Sequence, residues 1–275
     1  MFVAEVLDLG GEIMAKISAM FSGSRGNCTY IASGNSSLLV DVGVSAKQVL
    51  SALEQCMFDT NKLGGIFITH SHTDHISGLR VLLKKLNVPV YATKETLGAL
   101  ILADVFNSKS RYYDIEDSPE IFMDIDVSFF RTSHDCEGSG GFVFEFTNGE
   151  KAAVCTDLGY VSDTVRSAIT GAKTLVIESN HDVGMLQNGV YPFSTKQRIL
   201  SDEGHLSNVA CANELPQLIE NGAVNIILAH LSRDNNTPDL ASVTSKSVLI
   251  EKGFKEDIDY KLSVAAPSGG KIIYI

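Results

Sequence analysis

The sequence lacks the features that mark membrane-spanning, secreted and disulfide-bonded proteins. No apolar run reaches the ~18 residues that a transmembrane helix needs, so we expect no membrane partner. The segment 1–13 carries acids where a secretory signal carries bases, and it has no apolar core. The five cysteines are widely spaced and include no CxxC pair, which predicts buried thiols in a reducing cytoplasm rather than a disulfide framework.

Positive charge is also scarce. Lysine and arginine number 22 against 33 aspartates and glutamates, so the formal net charge is −11. A protein that holds nucleic acid through a broad basic surface has the opposite balance. Net charge governs non-specific association, however, so a local cationic site has to be argued from individual residues. Nothing in the sequence indicates an oligomeric state.

Short β-rich runs alternate with helical patterns along the chain, without internal repeats or a Pro- or Gly-rich linker. The predicted strands are KISAMF, CTYIAS, SSLLVDV, GGIFIT, VPVYAT, DIDVSFFR, GFVFEFT, KAAVCTD, TLVIES, AVNIILAH, KLSVA and KIIYI. The predicted helices span residues 45–56, 74–86, 94–106, 163–169, 208–219 and 240–251, and Pro216 is expected to bend or end the fifth. This alternation predicts two sheets with helices outside. We interpret residues 1–13 as an N-terminal extension and residues 14–275 as a single domain of two similar halves.

Three histidines and an aspartate lie within six residues, 70-HSHTDH-75, directly after the predicted strand GGIFIT. Because side chains alternate along an extended segment, His70 and His72 point to the same side. Asp74 and His75 begin the following helix and can face back toward them. Neutral imidazoles and carboxylates are ligands that Zn²⁺ accepts, so this cluster predicts a metal site rather than ordinary core histidines.

Three further polar residues each follow an apolar strand. His134 follows DVSFFRTS, Asp157 follows KAAVCT, and His230 follows NIILA. Loops at strand ends collect functional groups, so all three could converge at one edge of the sheets. Taken singly, each could equally be an ordinary structural residue, but together with the histidine cluster they extend the predicted metal site.

The intact H-x-H-x-D-H signature, followed in order by His134, Asp157 and His230, resembles that of the metallo-β-lactamase-fold hydrolases over residues 14–275. The resemblance implies an α+β fold, an αββα four-layer sandwich, with two divalent metal ions at one edge. It also implies the ligand sets, which are His70, His72 and His134 for one ion, Asp74, His75 and His230 for the other, and Asp157 between them.

Two positions within this signature bear on the reaction. His72 stands where the redox di-iron relatives carry a carboxylate, which favours hydrolysis. Asp157 stands where the commonest clinical lactamases carry cysteine, which disfavours antibiotic hydrolysis as the main task. A carboxylate is a hard oxygen ligand, so the ions could be Zn²⁺ or Mn²⁺.

His205 favours a phosphodiester substrate. A histidine followed by a helix, an apolar strand and the last metal histidine is similar to the pattern of RNase Z-type phosphodiesterases, in which the corresponding histidine lies at the scissile phosphate. Cleavage requires stabilisation of charge and a proton for the leaving oxygen, and an imidazolium at His205 could supply both. The resemblance implies that Asp74 orients the attacking water. A helix-capping or core role is the ordinary alternative for His205.

Several longer segments are similar to the YycJ/WalJ group of bacterial metallohydrolases: FSGSRGNCTYI, ESNHD, YPFSTKQRI, GHLSN and HLSRDNN. This resemblance implies a 5′-exonuclease that acts on DNA, with a role in repair or in replication and division. The first motif usually reads S-G-S-S-G-N, and Arg25 replaces one of its serines here. Candidate substrate-binding residues are Arg25, Asn27, His181, Lys196, Arg198, Ser207 and Asn208, although the three bases could equally be solvated surface residues.

Two other functions remain open at this point. A glyoxalase II-like thioesterase would share all seven metal positions, but it gives no reason for the segment GHLSN. A regulatory or scaffold protein with vestigial hydrolase activity would be expected to have lost ligands, and none of the seven is missing. The sequence does not distinguish DNA from RNA as the substrate, and it settles neither the polarity of digestion nor the physiological metal.

Overall fold

The computed structural model describes residues 14–116, 120–122 and 124–275, so the predicted extension at residues 1–13 lies outside the described residues. Two seven-stranded sheets lie face to face, and helices cover the outer face of each. The predicted α+β architecture, an αββα four-layer sandwich, is thereby confirmed. Among the helices described, none is both long enough and apolar enough to cross a bilayer.

The two sheets share one pattern of strand pairing. The first contains β1 (Lys16–Phe21), β2 (Cys28–Ser33), β3 (Ser36–Val40), β4 (Leu63–Phe67), β5 (Val90–Ala92), β6 (Tyr112–Asp114) and β14 (Ile273–Tyr274). The second contains β7 (Glu120–Phe122), β8 (Ile125–Arg131), β9 (Gly140–Phe146), β10 (Lys151–Cys155), β11 (Thr174–Glu178), β12 (Asn225–Ala229) and β13 (Lys261–Val264). In the orders β14-β1-β2-β3-β4-β5-β6 and β7-β8-β9-β10-β11-β12-β13, three antiparallel pairings precede three parallel ones.

Helices connect the parallel strands and pack outside the sheets. Beside the first sheet are α1 (Ala46–Gln55), α2 (Thr73–Ile76), α3 (Leu79–Leu83) and α4 (Lys94–Leu102), with a 3₁₀ turn at Thr60–Lys62. The later part of the chain contains α5 (Asp163–Ile169), α6 (Val183–Asn188), α7 (Phe193–Leu200), α8 (Asn208–Glu220) and α9 (Pro238–Glu251).

The strands bury both faces because they lie between two layers. In β3, Leu38 and Val40 pack between the sheets, whereas Leu39 packs under the helices. In β11, Val176 faces the other sheet and Leu175 faces the helices. Strands that are buried on both faces consist of nearly continuous apolar residues. This pattern is recognisable in the sequence, and each predicted strand overlaps an observed one.

The predicted single helix over residues 74–86 is wrong. It is two short helices, α2 and α3, separated at Ser77 and Gly78. The Ser77 hydroxyl donates to the Gly43 carbonyl at 2.6 Å, and the Gly78 amide donates to Val42 at 2.9 Å. A Cβ at Gly78 would lie 2.0 Å from the Val44 carbonyl oxygen, so only glycine permits this approach of two backbones.

Other helix boundaries depart less from the prediction. The helix predicted over residues 163–169 is confirmed at both ends, whereas α4 ends at Leu102 rather than at residue 106. Helix α8 does not end at Pro216 but continues to Glu220, where Leu218 and Ile219 are buried in the core. Strands β6 and β7 and helices α6 and α7 were not predicted.

Candidate metal centre

The residues of the predicted metal site lie at strand ends. His70 follows β4, Asp157 follows β10, and His230 directly follows β12. Asp157 and His230 have positive φ angles of 61° and 55°. This left-handed conformation is uncommon for residues other than glycine, and such strain concentrates at functional sites.

One group of donors consists of three imidazoles. The ligand atoms of His70, His72 and His134 lie within 4.8 Å of one another. His134 Nε2 is 3.2 Å from His72 Nδ1, while His134 Nδ1 lies 3.0 Å from the Gly204 carbonyl oxygen and can donate to it. His70 Nε2 is buried and has no hydrogen-bond partner among the described residues. Each ring therefore presents a nitrogen to the same small volume.

A second group combines a carboxylate with two imidazoles. The donor atoms of Asp74, His75 and His230 also lie within 4.8 Å of one another. Asp74 Oδ2 is 3.4 Å from His230 Nε2 and 3.7 Å from His75 Nε2. Both rings are fixed through Nδ1, by Asp41 at 2.7 Å for His75 and by Glu178 at 2.8 Å for His230.

Asp157 lies between the two groups. Its Oδ2 is 3.2 Å from His75 Nε2, and its Oδ1 is 3.5 Å from His230 Nε2 and 3.8 Å from His134 Nε2. The structure thus brings all seven residues of the predicted ligand set together. Because Asp157 lies near donors of both groups, its position fits the bridging role that the sequence resemblance implies, and that role stays a prediction.

The donor chemistry fits divalent metal ions. When Nδ1 of a neutral imidazole donates its proton, Nε2 carries a lone pair. In His75 and His230, Nε2 faces the oxygens of the Asp157 carboxylate. Burial opposes a charged ring at His75, but the Asp157 and Asp41 carboxylates raise its pKa to about 10. Burial and the neighbouring His75 hold the pKa of His70 well below its usual range. Cations held between these donors would satisfy the carboxylates and the neutral imidazoles together.

Asp41, which sequence reasoning missed, supports the ligand-bearing loop. It is 2% exposed and accepts hydrogen bonds from the Thr69 amide at 2.9 Å and from the Thr69 hydroxyl. Burial raises the pKa of Asp41, and the neighbouring His75 ring opposes that rise. The available signal was its position after the apolar strand SSLLV, the same signal that identified His134, Asp157 and His230.

Glu178 is the second residue that sequence reasoning missed. It ends the apolar strand β11, is fully buried, and accepts from the amides of Leu158 and Leu206 at 3.0 and 3.2 Å. Its Oε1 lies 2.9 Å from His205 Nδ1 as well as 2.8 Å from His230 Nδ1. Burial opposes its ionisation, but His205 and the hydrogen bonds from both rings lower the pKa of Glu178 to about 2. An ionised carboxylate therefore connects the metal site to His205.

His205 lies at the rim of a cavity of about 300 Å³ that opens on the proposed ligands Asp74, Asp157 and His230. Its ring stacks on that of His230, with centroids 5.4 Å apart, and its side chain is 16% exposed. Because Nδ1 is held by Glu178, Nε2 is the nitrogen available to a substrate. Burial opposes the charged ring, but the Glu178 carboxylate raises the pKa of His205 above its usual value.

The predicted substrate-binding bases differ in their surroundings. Arg198, on α7, lines the cavity and pairs with Asp135 through two hydrogen bonds. Lys196 donates instead to the carbonyls of Gln187 and Gly189, at 2.8 and 2.7 Å, and so holds the end of α6. Arg25 is exposed and lines a second, adjacent cavity.

The other predicted substrate contacts are mostly engaged with the backbone or with each other. Asn27 is buried, and its backbone amide donates to the Asp74 carbonyl at 2.8 Å. Ser207 caps α8, and Asn208 accepts from the Ser179 hydroxyl at 2.7 Å in a buried network. His181 is 1% exposed, and burial lowers its pKa to about 4. These contacts fit support of the loops, and direct contact with substrate stays a prediction for each.

Comparison with known proteins places this geometry in context. A sequence profile described as the metallo-beta-lactamase superfamily matches residues 22–198. The chain is 41% identical to the exodeoxyribonuclease YycJ of Bacillus anthracis over 86% of this chain and 90% of that protein. It is 36% identical to the exodeoxyribonuclease WalJ of Streptococcus pneumoniae over 93% of this chain and 96% of that protein. The crystal structure of the metallo-beta-lactamase fold protein YhfI from Bacillus subtilis superposes with a TM-score of 0.70 at 18% identity, over 95% of this chain and 99% of that one.

Proposed function

The chain belongs to the metallo-beta-lactamase superfamily of hydrolases, and on that premise we propose that it is a metal-dependent exodeoxyribonuclease. The observation that carries the proposal is His205, which lies on the rim of the cavity beside the proposed ligands with Nε2 free to meet a substrate. The names of the two relatives support DNA as the substrate. Digestion from the 5′ end, and a cytoplasmic role in repair or in replication and division, belong to the same proposal.

The proposed catalytic unit spans residues 14–275. Strand β14 near the end of the chain pairs with β1 near the start of the described residues, so both regions contribute to one sheet. The proposed ligand His230 and the proposed acid His205 also lie beyond residue 198, where the family match ends. A single catalytic unit over residues 14–275 accounts for the pairing of β1 with β14 and for the position of His205 and His230.

Seven side chains would hold two divalent metal ions, Zn²⁺ or Mn²⁺. The first set is His70, His72 and His134, the second is Asp74, His75 and His230, and Asp157 is shared. When bound, such ions polarise the scissile phosphate and make water nucleophilic at neutral pH. The hard carboxylate at Asp157 accommodates either metal.

The remaining chemistry belongs to the side chains. Asp74 is 26% exposed and lines the cavity, so its carboxylate can accept a hydrogen bond from the attacking water and orient it. His205 can stabilise charge on the phosphate and donate a proton to the leaving oxygen. Glu178 keeps the His205 ring in place and favours its protonated form. Arg198, near the same cavity, can contact a neighbouring phosphate if it leaves Asp135.

The other candidate functions have weaker support. A thioesterase gives no role to the Glu178–His205 pair, because the thiolate leaving group of a thioester needs less protonation than an alkoxide. A scaffold protein with vestigial activity would not need a complete donor set. The identity to two exodeoxyribonucleases over most of the chain adds to the case against both.

A panel of substrates tests the proposal. We expect the protein with Zn²⁺ or Mn²⁺ to release nucleotides from 5′-labelled single-stranded DNA, to act more slowly on RNA of the same sequence, and to leave a glutathione thioester intact. Thin-layer or gel analysis of products from 5′- and 3′-labelled strands gives the polarity. Thioester hydrolysis without DNA cleavage would overturn the proposal.

Replacement of Asp41 by asparagine tests the support of the ligand loop. Asp41 has a φ of 62°, which asparagine tolerates, so the backbone should be preserved. Loss of the charge behind His75 should lower metal affinity on the order of 10–100-fold, the usual effect of removing a carboxylate that orients a ligand. Titration against a chromogenic chelator measures this.

The matched control for this experiment is Asp257→Asn. Asp257 is exposed, has a φ of 63°, and donates its amide to the Tyr260 carbonyl just before β13, at the opposite end of the parallel strands from the proposed ligands. The Asp257→Asn variant should bind metal with the same affinity as the unaltered protein. Equal affinity of the Asp41 and Asp257 variants would contradict the role given to Asp41.

A further inference from the structure

A second and larger cavity adjoins the one beside His205. Its volume is about 670 Å³, which is within the range of sites that bind small molecules. Ser24 and Ser232 line both cavities, so the two are neighbours separated by these side chains. A flexible ligand held at the proposed metal site can therefore continue into the second cavity.

Two arginines, Arg25 and Arg233, line this second cavity, and both are exposed. The chain has seven arginines, and five of them donate to a carboxylate or a carbonyl: Arg80, Arg111, Arg131, Arg166 and Arg198. For Arg25 and Arg233, the structure contains no hydrogen bond or ion pair to any described residue. In a chain with a net charge of −11, two unpaired guanidinium groups in one cavity are an unusual local concentration of positive charge.

The rest of the cavity suits a phosphate carrying an unpaired base. Among the described residues that line it, none is an aspartate or a glutamate. Phe21, Leu231 and Pro267 supply apolar surface, and several serines supply hydroxyl groups. Single-stranded nucleic acid is bound in this way, by cations along the backbone and by apolar or aromatic surfaces against unstacked bases.

Both arginines are anchored to the segments that carry the proposed ligands. The loop that bears Arg25 is held at one end by Ser22, whose hydroxyl accepts from the His230 amide at 2.8 Å. At the other end, the Asn27 amide donates to the Asp74 carbonyl at 2.8 Å. Arg233 lies three residues after His230. The backbone segments that carry the two arginines are therefore held next to the proposed metal ligands.

We propose that this cavity binds the nucleotides next to the scissile phosphate in a single strand, and that Arg25 and Arg233 each pair with a backbone phosphate. The inference rests on the proposed nuclease function and adds a second binding site to it. The apolar wall requires unpaired bases, since a duplex keeps its bases stacked inside. The site would thus make the enzyme favour a single-stranded region longer than the cleaved nucleotide.

The test compares a long substrate with a short one. For Arg25→Ala and for Arg233→Ala, we expect KM for a single-stranded DNA octamer to rise on the order of tenfold, the usual effect of losing one charge-assisted hydrogen bond. Hydrolysis of bis(p-nitrophenyl) phosphate, which has no flanking backbone phosphate to pair with either arginine, should change much less. The slope of log affinity for the octamer against log salt concentration should fall by about 0.7 for each arginine removed. Arg25→Lys should recover part of the affinity.

Arg111→Ala is the matched control, because it also removes one arginine charge. Arg111 lies just before β6, at the opposite end of the parallel strands from the proposed ligands. The Arg111 variant should cleave the octamer with unchanged KM. Unchanged KM and salt slope in the Arg25 and Arg233 variants would overturn the inference while leaving the nuclease function intact. Displacement of the octamer by inorganic phosphate at equal concentration would also overturn it, since the cavity would then be a simple anion site. Absence of diester hydrolysis in the unaltered protein would contradict the nuclease function itself.

Discussion

Replacing Asp157 with alanine is expected to abolish metal binding and DNA cleavage together. Its carboxylate lies 3.2 Å from His75 Nε2 in one proposed ligand set and 3.8 Å from His134 Nε2 in the other, so it approaches donors of both sets. The pKa of Asp157 lies well below its usual range, because His230 and His75 outweigh the opposing effect of burial. Without it, the surrounding imidazoles lose the charge that makes the site selective for cations. Metal analysis of the purified variant and an exonuclease assay measure the two losses.

Thermal stability gives an independent reading of the same experiment. Metal at about 100 times its dissociation constant stabilises a folded protein by about 2.7 kcal/mol, which corresponds to a rise in Tm on the order of 5 °C for a chain of this size. The unaltered protein should show this rise and the Asp157 variant should not. Asp257→Ala is the control, since Asp257 shares the positive φ of Asp157 and is exposed. Full activity of the Asp157 variant, or an equal rise in Tm for it, would refute the proposed metal centre.

The residues of the candidate metal site were predictable because they follow a local rule. Polar side chains placed directly after apolar strands gather at the carboxyl ends of those strands, and His70, His134, Asp157 and His230 all do so. Asp41 and Glu178 obey the same rule, but a lone carboxylate after a strand resembles many surface acids. Only the fold reveals that both are buried behind histidines of the candidate metal site.

Features that depend on contacts between distant segments could not be predicted. The break between α2 and α3 arises because Ser77 and Gly78 bond to the loop after β3, about 35 residues earlier in the chain. Helix α7 covers the cavity, yet only Ile199 among its residues is buried, so it has no periodic apolar face to recognise. That Arg25 pairs with no carboxylate of residues 14–116 or 124–275 likewise depends on which carboxylates the fold leaves far from it.

Replacing His205 with alanine is expected to preserve metal binding and to lower DNA cleavage by a factor on the order of 10²–10⁴, the usual range for acid–base assistance. The side chain is not among the seven proposed ligands, although its ring stacks on that of His230 and both rings bond to Glu178. Glu178 would keep its hydrogen bond to His230 in the variant. Normal metal content with normal DNA cleavage would refute the role of His205 in phosphodiester chemistry.

The leaving group and the pH dependence separate proton donation from simple charge stabilisation. p-Nitrophenolate leaves as a stable anion, so the His205 variant should lose much less activity on bis(p-nitrophenyl) phosphate than on DNA. Since the Glu178 carboxylate raises the pKa of His205 above 6.5 against the opposing effect of burial, the protonated acid persists to higher pH than in a free imidazole. For the unaltered enzyme, kcat on DNA should therefore fall as the pH rises through that raised pKa, and this alkaline limb should be absent from the His205 variant. An equal loss on both substrates, with the limb retained, would mean that His205 acts only by its charge or by positioning its neighbours.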